Sequence, residues 1–312
     1  MPLISGWQRR TLTISIFLSI GGYGLFTLWG GWGDVAEALK RIDLPDVAVL
    51  LGLSLVNYAL RFQRWHGYLQ RLQHAVPWGF SLHAYLTGFA LTTTPGKAGE
   101  ALRGVFLKPR GVPYTVSVGA LFAERFADLI TVVLLCLPGL WFYPPAQPLV
   151  IVALLVLPAV LWVLQQEPWL DRFEQRVARR EPGRVVTLLQ HFLHTLRHSS
   201  RLLALGPMTS ALLLGAVAWG AEALAFHYLL QQMGLPVPLP IAFFIYAFSM
   251  LVGALSFLPG GLGSAEVTMA LLLVLNGATP AEAATATLII RLATLWFAVV
   301  IGLGALLRPP RY

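Results

Sequence analysis

The chain has 312 residues, of which 57% are hydrophobic and only 12% are charged. Soluble domains carry about 25% charged residues, so this composition excludes a soluble globular protein. The net charge of +8 would suit nucleic acid in a soluble protein. Here the basic residues flank apolar runs, where membrane orientation and anionic lipid headgroups explain them better. We therefore expect an integral protein of the cell (inner) membrane, with no nucleic-acid partner.

Apolar runs that could cross a hydrocarbon core of about 30 Å recur along the chain. We place them near residues 13–31, 47–60, 115–138, 148–164, 207–230 and 281–307. No small-residue cleavage pattern follows the first run, so we interpret it as a retained helix rather than a signal peptide. The predicted fold class is an all-α polytopic membrane protein, with about six full transmembrane helices in a single domain over 1–312.

A proline-glycine break occurs twice in the sequence, and each copy is followed by a glutamate, a glycine and an arginine. The matching residues, each pair separated by 166 positions, are Glu100 and Glu266, Gly111 and Gly277, and Arg125 and Arg291. Internal duplication with interrupted apolar segments indicates a transporter-type binding site between two repeats. We predict repeat A over about 81–138 and repeat B over about 241–307.

Loop charge predicts how the two breaks are oriented in the membrane. The segments 61–80 and 165–206 are rich in arginine, whereas 139–147 and 231–240 carry no charge. The positive-inside rule then places both termini and the two arginine-rich segments in the cytoplasm. This assignment requires each broken segment to enter and leave the membrane on one side. We therefore expect two oppositely oriented re-entrant hairpins that form an inverted repeat, as suits alternating access.

The segment 165–206 is predicted to be an amphipathic cytoplasmic linker. Leu189, Phe192, Leu193 and Leu196 recur at helical spacing, with arginines and histidines between them. This pattern is typical of a helix that lies at the membrane interface. The helix would serve either as a linker and surface anchor or as a docking site for a cytoplasmic partner.

The residues around the two breaks are candidates for binding an anion. A helix that restarts after a break directs its N-terminal amides into the protein, where phosphate is favoured. Arg125 and Arg291 lie about ten residues into their helices, near the bilayer midplane, where charged groups face the interior or a water-filled cavity. The candidate substrate-binding residues are Gly96, Lys97, Gly99, Glu100, Arg103, Glu124, Arg125, Asp128, Gly260, Gly261, Gly263, Glu266 and Arg291. The alternative is that the glycines only permit tight turns and helix packing.

Two carboxylates are expected to pair with the in-register arginines. Glu100 and Glu266 would bind Arg125 and Arg291, within or across the repeats. They would act either as permanent ion pairs that hold the hairpins or as competitors of a lipid phosphate. Glu222 is a candidate for proton coupling, with a satisfied polar contact as the alternative. The sequence contains no nucleophile elbow, P-loop or metal-ligand spacing, so we expect no catalytic residue, no cofactor and no metal.

At these positions the chain resembles the flippase-like membrane domain family, also called the lysylphosphatidylglycerol synthase transmembrane region (UPF0104-like). The matching segments are Pro95-Gly96-Lys97-Ala98-Gly99-Glu100 with Arg103, Glu124-Arg125-Phe126-Ala127-Asp128, and Leu258-Pro259-Gly260-Gly261-Leu262-Gly263 with Glu266 and Arg291. The resemblance covers essentially the whole chain. It implies a unit that, in multidomain relatives, flips aminoacylated phospholipid between leaflets. Other similar proteins are associated with hopanoid movement or with dolichyl-phosphate mannose chemistry in archaea.

Three functions are compatible with these features. The first is a non-enzymatic lipid translocase that moves an anionic phospholipid or a polyprenyl-phosphate-linked lipid between leaflets. The second is a membrane-embedded glycosyl or lipid transferase, in which Glu124 or Asp128 would act as a general base. The third is an anchor partner of a cytoplasmic or membrane lipid-modifying enzyme. The expected partners are therefore membrane lipids with phosphate headgroups, with such an enzyme as a further possibility.

Overall fold

The computed structural model of the protein describes Gly33, Glu37 and residues 40–94, 100–179 and 183–308. All regular secondary structure in these ranges is helical. The predicted first apolar run, 13–31, lies outside the described residues. So do three of the candidate site residues, which are Gly96, Lys97 and Gly99.

The first part of the described chain forms a long helix, an interrupted pair of short helices and a second long helix. We refer to this arrangement as the first unit. Its helices are α1 (Leu44–Arg71), α2 (Trp78–Phe89), α3 (Leu102–Leu107) and α4 (Tyr114–Leu140). Between α3 and α4, Gly111 adopts a left-handed conformation with φ of 78°. Glycine tolerates this conformation because it has no Cβ, so the chain can reverse here before α4 begins.

A connecting segment of three helices follows the first unit: α5 (Gln147–Gln165), α6 (Glu167–Ala178) and α7 (Arg184–Leu202). The predicted amphipathic linker is therefore built from two helices, α6 and α7, rather than from one. Leu193 of α7 is buried against Leu170 and Val177 of α6. Leu189 and Phe192, by contrast, are exposed. The hydroxyl of Ser199 donates to the carbonyl of Gly119 at 3.0 Å and attaches α7 to α4.

The remaining chain repeats the order of elements seen in the first unit, and we call it the second unit. It consists of α8 (Leu205–Gln232), α9 (Leu239–Leu255), a 3-10 turn (Pro259–Gly261), α10 (Ser264–Leu275), α11 (Pro280–Arg291), a π-helical turn (Leu292–Trp296) and α12 (Phe297–Leu307). Its first helix has 28 residues, like α1. Each unit therefore begins with a long helix, α1 or α8, that lies before the predicted repeat A or B.

In the described residues, four helical segments are long and apolar enough to cross a membrane: Leu44–Arg71, Pro144–Gln165, Leu205–Gln232 and Pro280–Leu307. Helix α4 has 27 residues but carries Glu124, Arg125 and Asp128. The fold class is confirmed as an all-helical polytopic membrane protein.

One part of the loop assignment was wrong. Helix α1 continues well beyond the predicted run 47–60, so Arg61 and Arg64 lie within a helix and not in a cytoplasmic loop. Both side chains are buried, and each lies within 4 Å of carboxylates on α4. Arginine can be buried when carboxylates pair with it. A helix boundary drawn where the apolar residues stop therefore excluded Arg61 and Arg64.

Helices α1 and α8 pack against each other in antiparallel directions. Tyr228, near the end of α8, donates to Asp46 at the start of α1 at 2.7 Å. Near the middle of both helices, the Asn57 side chain donates to the carbonyl of Ala218 at 2.9 Å. Asn57 and Ala218 are each the fourteenth residue of their helix. Equivalent positions of the two units therefore meet, as in an approximate twofold arrangement.

Each unit also packs its first short helix against the last long helix of the other unit. Helix α2 contacts α12, and α9 contacts α4. Glycines allow these helices to approach closely, since a Cβ on Gly139 would meet the side chain of Phe244 and one on Gly302 would meet the backbone of Ala90. Small residues have this role in membrane helix packing generally.

We expect Gly302→Ala to destabilise the protein by about 1–3 kcal/mol, the usual range for overpacking. The added methyl group would meet backbone atoms of Phe89 and Ala90, which cannot move aside as a flexible side chain could. Gly304→Ala is the matched control, because its Cβ would have nothing within 4 Å. Thermal unfolding in detergent micelles compares the two variants, and equal melting temperatures would contradict the close contact between α2 and α12.

Candidate functional site

A cavity of about 450 Å³ lies between the two units. Its walls come from α1, α2 and α4 of the first unit, from α8 to α12 of the second, and from both breaks. The charged residues that line it are Arg61, Arg125, Asp128, Glu222 and Arg291. The two in-register arginines, Arg125 and Arg291, therefore border a single space. Ionisable groups inside a membrane face such cavities or one another.

The first unit contributes a network of buried charges beside this cavity. Its described members are four arginines and three carboxylates: Arg61, Arg64, Arg103, Arg125, Glu100, Glu124 and Asp128. Four positive and three negative groups give these members a formal charge of +1. Arg61 and Arg64 are additions to the site residues that the sequence predicted.

Glu124 and Asp128 anchor the network on one face of α4, because residues four apart are neighbours on a helix. Glu124 accepts a hydrogen bond from Arg103 at 2.7 Å. Asp128 accepts from Arg64 at 2.5 Å and from the indole of Trp219 at 3.1 Å. Charge-assisted bonds of this kind offset the loss of hydration that accompanies burial.

Glu100, at the start of the helix that follows the first break, binds mainly to Arg103. The Arg103 guanidinium donates to Glu100 at 2.8 Å, and the hydroxyl of Thr92 donates to the other carboxylate oxygen at 2.9 Å. The distance from Glu100 to Arg125 is longer, at 3.6 Å. The predicted Glu100–Arg125 pair is thus present, but as a secondary contact. Arg103 also stacks over the ring of Tyr85, 4.1 Å from its centroid.

The corresponding pair of the second unit forms within that unit. Arg291 Nε donates to Glu266 at 2.7 Å, and Arg291 Nη2 donates to the carbonyl of Gly260 at 3.0 Å. The same carboxylate accepts from the backbone N–H of Gly263 at 2.7 Å and caps α10. Gly260 and Gly263 have φ of 61° and 86°, conformations that favour glycine. The ion pair therefore holds the second break against α11, the helix that carries Arg291.

The two breaks meet inside the protein. A Cβ placed on Gly260 would lie 3.3 Å from the Cα of Thr93, so the second break touches the described end of the first. Gly261 is equally close to Gly253 of its own unit. The backbone of both units is therefore in contact next to the cavity, without a helix between them.

Glu222 lines the cavity opposite the first-unit network. It accepts a hydrogen bond from the hydroxyl of Tyr246 at 2.6 Å. Glu222 is the eighteenth residue of α8, and Arg61 is the eighteenth residue of α1. The first helices of the two units thus bring opposite charges to one cavity. Proton coupling through Glu222 stays a prediction.

A signal for the two missed arginines is present in the sequence. Ser54, Asn57, Arg61 and Arg64 recur at helical spacing, and neither glycine nor proline interrupts residues 54–66. A polar stripe of this kind inside an apolar segment indicates a helix with one face in the protein interior. The positive-inside rule, in contrast, assigns both arginines to a cytoplasmic loop.

The fold and the cavity show the class of protein, which is an all-helical polytopic membrane protein with a charged cavity between two similar units. The family model of the lysylphosphatidylglycerol synthase TM region matches residues 12–302, and the chain belongs to this family. The predicted resemblance is therefore confirmed.

Known relatives agree with this assignment. A UPF0104 membrane protein of Pyrococcus horikoshii is 22% identical and aligns over 89% of this chain and 91% of its own length. A UPF0104 membrane protein of Methanothermobacter thermautotrophicus is 24% identical, over 88% of this chain and 86% of its own. The glycosyltransferase AglD of Haloferax volcanii is 28% identical, but over 40% of this chain and 20% of its own length.

We expect Arg103→Met to destabilise the protein by about 3–5 kcal/mol, because it leaves Glu100 and Glu124 buried without their main partner. Arg41→Met is the control. Arg41 is paired to Glu282 at 3.2 Å but is half exposed, and loss of such a pair costs at most about 1 kcal/mol. Unfolding in detergent measures both variants, and similar losses would refute a structural role for the buried network.

Proposed function

We propose that the protein moves a lipid with an anionic phosphate headgroup, either an anionic phospholipid or a polyprenyl-phosphate-linked lipid, between the two leaflets. The observation that carries this proposal is that Arg125 and Arg291, from equivalent positions of two units, line one cavity. Guanidinium groups suit phosphate because they offer several donors in a fixed plane. The family is named after a lysylphosphatidylglycerol synthase, whose named product is built on an anionic phospholipid.

The proposal includes two re-entrant hairpins of opposite orientation, formed by α2–α3 and α9–α10. Tyr143, which follows α4, stacks on Phe244 of α9 at 4.4 Å and accepts a hydrogen bond from Asn276 at the end of α10. Both ends of the second hairpin thus lie near the same residue, which supports a segment that enters and leaves on one side. The antiparallel contact of α1 and α8 supports the opposite orientation of the first hairpin.

Arg125 is the best placed residue to receive a phosphate. Its side chain is 23% exposed, whereas the other described members of the network are 7% exposed or less. Its Nη2 atom lies 3.0 Å from both Glu124 and Asp128. The side chain of Arg125 also lines the cavity, where a phosphate could reach it. Arg291 is less accessible, since its side chain is 5% exposed and paired with Glu266.

Transport in this scheme is an exchange of partners. The phosphate would bind Arg125 in one state and Arg291 in the other, while Glu100 or Glu266 holds the arginine that is not in use. Two units related by an approximate twofold can alternate between such states, as inverted-repeat transporters do. The binding energy of the lipid shifts the equilibrium only if its contacts differ between the states.

The transferase alternative is less well supported by the geometry. A general base must be free to accept a proton from its substrate. Glu124 is fully buried, accepts from Arg103 and lies within 4 Å of Arg61, Arg64 and Arg125. These arginines occupy the carboxylate oxygens, and burial leaves a substrate no approach to Glu124. The match to the glycosyltransferase covers a fifth of that protein.

We expect Arg125→Gln and Arg291→Gln each to slow lipid transport at least about tenfold, since a hydrogen bond to a charged group contributes about 1.5–3 kcal/mol. The assay uses liposomes with a fluorescent phosphatidylglycerol whose outer-leaflet fraction is quenched by dithionite. Arg197→Gln, in the linker, is the control and should transport as the wild type does. Correctly folded Arg125 and Arg291 variants that transport at the wild-type rate would contradict the proposal.

The same liposomes separate the alternatives. Product formed from a polyprenyl-phosphate sugar donor, without movement of the fluorescent lipid, would favour the transferase. A lipid-modifying enzyme that co-purifies with an inactive protein would favour the anchor function.

We expect Glu266→Gln to tighten phosphatidylglycerol binding and to slow transport, because Arg291 would lose its competing carboxylate. A purely structural pair would instead lower the melting temperature and leave binding unchanged. Glu174→Gln, which removes a carboxylate of the linker, is the control. Binding is measured by titrating phosphatidylglycerol micelles into the detergent-solubilised protein and following tryptophan fluorescence.

A further inference from the structure

The two breaks are equivalent in sequence but differ in exposure. In the first break Leu91 and Thr93 are each 1% exposed. The residues 164 positions later, Leu255 and Phe257, are 45% and 74% exposed. Helix α12 covers the first break, because Ala90 lies against Gly302. At the second break, the described residues leave Leu255 and Phe257 exposed, so the two breaks present different surfaces.

The second break borders the cavity that contains the arginines. Leu255, Phe257 and Leu258 all line this cavity, and all three are exposed. Phe122 of α4 lines the same cavity and is also exposed. The cavity therefore has an apolar mouth between α4 and the second break, while Arg125 lies further inside. Arg125 inside the cavity suits the charged head of a ligand, and the apolar mouth suits a hydrocarbon chain.

The backbone at Phe257 points to the same conclusion. Its φ is 53°, in the left-handed region that a bulky side chain rarely adopts. A glycine would avoid this strain, and core packing does not explain the phenylalanine because its ring is exposed. Residues held in unfavourable backbone conformations cluster at ligand-binding sites. An aromatic ring at this point is best explained by contact with a ligand.

We propose that Phe122, Leu255, Phe257 and Leu258 form a portal for the hydrocarbon chain of a lipid whose phosphate lies at Arg125. This inference rests on the proposed function and deepens it, because it names the residues between which the hydrocarbon chain leaves the cavity. Cavities of about 300–1,000 Å³ hold drug-sized molecules, so one of about 450 Å³ takes a headgroup while the chains remain in the membrane.

Photo-crosslinking tests the portal directly. The probe is a phosphatidylglycerol with a diazirine at the end of one acyl chain, reconstituted with the full-length protein. We expect labelling of the peptide that contains Phe257, reduced at least fivefold by Arg125→Gln. Leu155 of α5, which is 68% exposed, reports general lipid contact and should be labelled equally in both proteins. Equal labelling of the Phe257 peptide with and without Arg125 would overturn the portal.

A second variant separates the portal from the transport function. Phe257→Gly keeps the left-handed backbone and removes the ring, so the protein should fold with unchanged or higher stability. We expect its phosphatidylglycerol transport to fall at least threefold, while Leu155→Ala transports normally. Normal transport by Phe257→Gly would overturn the portal and leave the proposed function intact. Absence of transport in the wild type would overturn the proposed function, and the labelling result would still test the binding site.

Discussion

The structure depends on keeping several charges paired inside a membrane protein. Glu124 and Asp128 lie on one face of α4, and they are buried only because arginines from α1 and α3 reach them. An unpaired charge at this depth is strongly destabilising, so these three helices must come together at a fixed register. Removing one partner therefore affects the whole arrangement and not a single contact.

The second unit reaches a similar architecture with fewer charges. Its break is held by one pair, Glu266 and Arg291, together with the carbonyl of Gly260. Fewer ionic contacts hold this break than the first, where Glu100 belongs to a network of seven charges. The difference agrees with the exposure of the two breaks, because the break with fewer ionic contacts is also the more exposed one. An approximate twofold arrangement thus contains two breaks that are held unequally.

Much of this was predictable from the sequence, and the exceptions have physical reasons. Long apolar runs predicted the helices, and the repeated spacing predicted that Glu266 and Arg291 would pair. Helix α1 was predicted too short, because Arg61 and Arg64 were read as loop charges by a rule that counts arginines near helix ends. The main partner of Glu100 was also misjudged, since Arg103, three residues along the chain, outcompetes Arg125 for it. Repeat spacing indicates equivalent residues but not which of several cations lies closest.

The cavity and its mouth impose different requirements on a ligand, and together they are more selective than either alone. Arg125 and Arg291 would accept many anions, and the exposed residues of the second break would accept many hydrocarbons. Phe257 makes the combination specific, because an exposed ring in a left-handed conformation is unfavourable for folding alone. A soluble anion would leave this ring without a contact, and a lipid without a phosphate would give Arg125 no anionic ligand. A phosphate-bearing lipid satisfies both.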